Sequence, residues 1–67
     1  MNNNALIGRR VKLIVMHDPY PVPSGTLGTI EFIDDEDQIH VAWDNGSSLA
    51  LIPSIDKFCF FDDKIGG

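Results

Sequence analysis

The sequence predicts an all-β domain, a small five-stranded barrel. Short runs of β-branched and aromatic residues alternate with polar ones, the two-residue period of a half-buried strand. Clusters of Pro, Gly, Asn, Asp and Ser separate the runs. No segment repeats apolar residues with the helical period over a length that would bury a face. At 67 residues the chain makes one domain. It divides into a flexible N-terminus at 1–7, the barrel at 8–61 and a C-terminal tail at 62–67.

The first strand is expected over Leu6–Met16, with Val11, Leu13 and Val15 inward and Ile14 and Met16 outward. The segment Asp18-Pro19-Tyr20-Pro21-Val22-Pro23-Ser24-Gly25 follows. Its alternate prolines forbid a helix or a central strand and push each preceding residue toward extended geometry, so it reads as a stiff exposed loop. Gly28 suggests a bulge or tight bend. The second strand is expected over Thr29–Ile33, with Ile30 and Phe32 inward and Glu31 outward. Asp34-Asp35-Glu36-Asp37 reads as a solvated hairpin loop. Ile39–Trp43 is the third strand and Leu49–Ile52 the fourth, stopped by Pro53. Ser54–Lys57 reads as a short 3-10 turn, and Phe58–Phe61 as the fifth strand.

The Asp44-Asn45-Gly46 turn allows a test of register. A two-residue Asn45-Gly46 loop would pair Ala42 with Leu49 and turn Leu49 and Leu51 away from Ile39, Val41 and Trp43. A three-residue loop with Gly46 in a left-handed bulge pairs Trp43 with Ser47 and Val41 with Leu49. All the large apolar residues then share one face. A one-residue slip flips a whole strand, so the pattern selects the bulged turn. Five short strands, a proline-rich loop after the first and a 3-10 turn before the last are the pattern of an SH3-like barrel.

Three stretches carry a family resemblance: Gly8-Arg9-Arg10-Val11; Asp18-Pro19-Tyr20 with Pro23-Ser24-Gly25-Thr26-Leu27-Gly28-Thr29; and Ile39 to Leu51, with Trp43-Asp44-Asn45-Gly46-Ser47 its most specific part. Over residues 8–60 the chain resembles a domain-of-unknown-function family of small domains found in bacteria, phages and other mobile elements. The resemblance implies an SH3-like fold and no particular activity.

Composition excludes several function classes. The net charge is −5, yet residues 1–17 carry Arg9, Arg10 and Lys12 and no acid. Such an acidic chain is poorly suited to neutralising DNA phosphates, so nucleic-acid binding is not expected. Cys59 is the only cysteine, so no internal disulfide forms, and with His17 and His40 it is too few for a zinc site. No apolar run approaches the ~18 residues of a membrane span. We expect a cytoplasmic protein, inside the bacterial host cell if phage-encoded. A core this small gains from self-association.

No nucleophile–base pair, metal cluster or cofactor motif is evident, so we expect neither enzyme activity nor a cofactor or metal. Cys59, among Phe58, Phe60 and Phe61, is expected to be buried and inert. The expected function is a non-enzymatic binding module acting through protein contacts. Tyr20, on its stiff loop beside Asp18, is the leading contact residue. A second reading, motivated by the phage-linked resemblance, is a counter-defence protein that sequesters a small nucleotide immune signal in a pocket between subunits. Arg9, Arg10 and Lys12 would meet phosphates. Tyr20 or Trp43 would stack on a base, and Asn45, Ser47 and Ser48 would bond a ribose. The small outer-face residues Ala42 and Ala50, with His40, Ile14 and Met16, form an expected homo-oligomer interface.

Overall fold

Two β-bulges decide which side chains of this chain reach the core. The computed structural model describes residues 4–61. After a 3-10 turn at Asn4–Leu6 come β1 (Arg10–Val15), β2 (Leu27–Ile33), β3 (Ile39–Trp43) and β4 (Lys57–Phe60). They form one antiparallel sheet in the order β3-β2-β1-β4. Leu6–Arg9, expected from sequence to open the first strand, are not strand: Arg9 N–H donates to the Leu6 carbonyl and Gly8, at φ 90, turns the chain into β1. Among the described residues no helix is long and apolar enough to cross a membrane.

On β1, Leu13 faces Phe58 and Val15 faces Lys57, so Ile14 is the extra residue of a bulge. A bulge inverts the facing of everything beyond it. Val15 is therefore exposed and Met16 buried, the reverse of strict alternation. On β2, Ile30 faces Val41 and Phe32 faces His40, which makes Glu31 the extra residue. Phe32 accordingly lies outside, where its ring stacks on His40 at 4.1 Å and 9°, and Ile33 turns in against the core. The core is Val11, Leu13, Met16, Val22, Ile30, Ile39, Val41, Trp43 and Leu51.

The Asp44-Asn45-Gly46 turn takes the bulged form. Trp43 N–H donates to the Ser47 carbonyl, Gly46 N–H donates to the Trp43 carbonyl, and Gly46 sits at φ 93. Ile39 bridges Leu51 in the same register. The expected fourth strand at Leu49–Ile52 is nevertheless reduced to that bridge, so the described residues form four strands rather than five. The reason is local. The Leu49 carbonyl accepts the Trp43 indole N–H at 2.9 Å, and Leu49 N–H donates to Ser47 Oγ at 3.3 Å. Both main-chain groups of Leu49, which would face Val41, are thus diverted from the ladder.

Gly28 is needed for close packing rather than for a bend. It pairs with Trp43 across β2–β3 and with Val11 across β1–β2. A Cβ there would lie 2.5 Å from Val41 Cγ1 and 2.7 Å from the Trp43 ring. Asp56, 5 % exposed, is a buried charged residue that joins separate segments. Its two carboxylate oxygens accept the N–H of His17 (2.8 Å) and of Ile52 (2.9 Å), tying the end of β1 to the turn before β4.

Gly28→Ala is expected to lower stability by about 1–3 kcal/mol through overpacking, read as a fall in the urea midpoint at unchanged slope. Asp56→Ala leaves two main-chain donors without their acceptor and is expected to cost about 2–3 kcal/mol. Thermal unfolding of the two single variants and the double variant checks both values; the sites share no partner, so their effects should add.

Candidate binding surface

The β1–β2 loop and the Asp44–Gly46 turn leave the same end of the sheet, because β1 and β3 are both antiparallel to β2. The loop is pinned at both flanks. Val22 is buried in the core. Ser24 Oγ donates to the Ile14 carbonyl at 2.6 Å, and Gly25, at φ 91, donates its N–H to the Leu13 carbonyl at 2.7 Å. Thr26 closes the loop through its Oγ1 on the Pro23 carbonyl, 2.7 Å away. At the outer tip, Asp18 Oδ1 accepts the Tyr20 N–H at 2.9 Å, an Asx turn. Tyr20 itself is 86 % exposed. Its ring therefore projects from a backbone that prolines, an Asx turn and a buried valine hold in place.

The other expected contact residues divide. Trp43 is 3 % exposed with its indole N–H bonded, so it is a core residue and offers no face for stacking. Arg10 makes a two-pronged pair with Asp44, at 3.0 and 2.7 Å, and donates to Thr29 Oγ1 at 2.9 Å. Its charge thus serves the β3 turn. Arg9 lies over the Phe60 ring at 4.2 Å and Lys12 Nζ near the Phe61 ring at 5.9 Å. In the turn, Asn45 Oδ1 accepts the Ser47 N–H, and Ser48 is exposed.

Of the expected oligomer interface, Met16 is withdrawn into the core by the Ile14 bulge. Ile14 is exposed, and His40, Ala42 and Ala50 are half-buried. Cys59 is also corrected: it is exposed, because β4 packs mainly through Phe58.

The acidic hairpin is more ordered than a merely solvated tip. Asp34 Oδ1 accepts the N–H of Glu36 and of Gln38, and Oδ2 lies 2.8 Å from His40 Nε2. Asp37 turns the chain at φ 64. The hydrogen bond with His40, then that from Gln38, holds the Asp34 carboxyl below its ordinary value. The Arg10 hydrogen bond does the same for Asp44. No three His, Cys, Asp or Glu side chains gather as a metal-ligand set among the described residues.

Residues 3–60 match the model of a family described as a domain of unknown function, DUF4314. The chain belongs to that family. The matched span takes in the Tyr20 loop and all four strands, so the DUF4314 unit coincides with the sheet described above. No curated protein and no solved structure matches the chain.

Sequence reasoning missed Asp56 and the Phe32–His40–Asp34 cluster. Nothing near Asp56 marks it as buried. The cluster was legible only through the Glu31 bulge, which places Phe32 beside His40.

The lowered carboxyls set the direction of a pH effect. A carboxyl more acidic in the folded than in the unfolded state adds stability that is present above the unfolded value of about 3.9 and is lost as pH falls through the folded one. Urea midpoints are therefore expected to drop on acidification from pH 6 to pH 2.5. The drop should be shallower in Asp34→Asn and Asp44→Asn, which lack the titrating group.

Proposed function

We propose that this chain is a non-enzymatic binding module of SH3-like architecture that acts through protein contacts. The observation that carries the reading is Tyr20, 86 % exposed on a loop fixed at both flanks. A large amphipathic ring with few degrees of freedom loses little entropy when a partner covers it. Strand order supports the architecture. With Leu51 bridged to the outer side of β3, the sequence across the sheet is Leu51, β3, β2, β1, β4, a meander whose first and last strands are neighbours. The resemblance of the Trp43–Ser47 block to phage and mobile-element domains supports action inside a bacterial cell.

The nucleotide-sequestering reading keeps Arg9, Lys12 and Tyr20 as its supports. It draws less from the rest of its residues: Trp43 is buried, Arg10 is engaged by Asp44 and Thr29, and Asn45 by Ser47. Protein contact therefore stands first.

The test places a photo-crosslinking phenylalanine analogue at position 20 in cells of the natural host. The expected result is covalent capture of a defined protein, whose affinity for Tyr20→Ala is at least tenfold weaker by calorimetry. Tyr20→Ala should change stability by less than about 0.5 kcal/mol, as for other exposed substitutions. Capture of nothing at position 20, together with tight calorimetric binding of a cyclic or ADP-ribose-type nucleotide, would reverse the order of the two readings.

A further inference from the structure

The two edges of the sheet differ. Beside β3, the segment after the turn bonds through Trp43–Ser47 and Ile39–Leu51. β4 has β1 on one side and, among the described residues, no strand on the other. Phe61 N–H donates to the Arg10 carbonyl at 2.8 Å. Main-chain groups alternate in direction along a strand, so those of Phe58 and Phe60 point away from β1, toward the open side. The side chains along this edge are apolar and accessible: Phe60 is 43 % exposed, Phe61 44 %, and Cys59 is exposed. An edge of this kind is a template for strand addition.

We propose that the chain pairs with a second copy of itself along the open edge of β4, antiparallel, with the two-fold axis at Cys59. The strand is self-complementary in that register. Phe58 of each copy lies opposite Phe60 of the other, and these are the residues whose main-chain groups face outward. Lys57 lies opposite Phe61, repeating between copies the cation–ring contact that Lys12 makes within one. Moving the axis to Phe58 or to Phe60 preserves the hydrogen-bond parity but carries pairing outside Lys57–Phe61. Lys57–Phe61 itself contains no acid and carries one cation, so the paired segment adds no carboxylate between two chains of net charge −5, the flanking acids at positions 56, 62 and 63 lying outside it. The interface is independent of the Tyr20 surface. It is also smaller than the ~800 Å² per partner of a stable complex, so the dimer forms at high protein concentration.

The register makes a covalent readout available. Cys59 would be a non-hydrogen-bonded pair across the axis, where Cα atoms sit about 4.5 Å apart, inside the disulfide range. Sedimentation equilibrium of the full chain under reducing conditions, from micromolar to millimolar, should show a monomer–dimer equilibrium. Diamide should then join the two Cys59 thiols, which give up two protons and two electrons as the diazene becomes a hydrazine, and the dimer should persist on dilution. Phe60→Pro removes an outward N–H that β1 does not use, and Phe60→Lys sets a cation on the edge. Each should weaken dimerisation at least tenfold while leaving the far-ultraviolet circular dichroism and cooperative unfolding of the monomer intact. A chain that stays monomeric to millimolar concentration overturns the proposal. So does a dimer that both Phe60 variants leave unchanged, since it uses another face, such as the Ile14–Ala42 side.

Discussion

The fold depends on one close approach. Gly28 lies in the middle of the sheet, between Val11 and Trp43, with Val41 and the indole ring where a side chain would stand. Trp43, the chain's one tryptophan, is the largest side chain in its core. Gly28 supplies the space that lets the Trp43 ring pack closely against β2. From that position the indole N–H reaches the Leu49 carbonyl, so the same ring that fills the core also sets the path of the chain after the turn. Packing and topology are coupled here through a single hydrogen atom at position 28.

Around that centre, side-chain oxygens take the role that longer strands play in larger sheets. Asp18, Asp34 and Asn45 each accept the N–H two residues on, stiffening the three loops that carry them. Asp56 does the same work across the chain, from inside. The acidic surplus thus has structural uses, and its electrostatic cost is offset locally where Arg10 meets Asp44. With its loops held in this way, the sheet carries Tyr20 at one end and, among the described residues, a β4 edge with no strand beside it. Both are surfaces suited to contact.

Much of this was legible in the residues. β3 runs over the expected Ile39–Trp43, and the three-residue turn follows from the need to keep Leu49 and Leu51 on the side of Val41. The exposure of Tyr20 follows from three prolines that bar its segment from the sheet. Binary alternation failed at two points, Ile14 and Glu31. Each is an inserted residue that nothing in its own identity announces, and each reverses the facing of the positions beyond it. Met16 and Phe32 exchanged their expected sides for this reason. Cys59 was misjudged because aromatic neighbours in sequence do not surround a residue on an edge strand.

The sequence by itself determined the all-β class, the position of the turns and the stiffness of the Tyr20 loop. These rest on local chemistry: β-branched alternation, proline's fixed φ and glycine's left-handed freedom. Tertiary structure alone decided where the bulges fall, that Leu49 leaves the ladder for the Trp43 indole, that Asp56 is buried, and that β4, among the described residues, has a strand on one side only. Those outcomes depend on which residue lies opposite which, and register between strands is a property of the packed sheet rather than of any segment read alone.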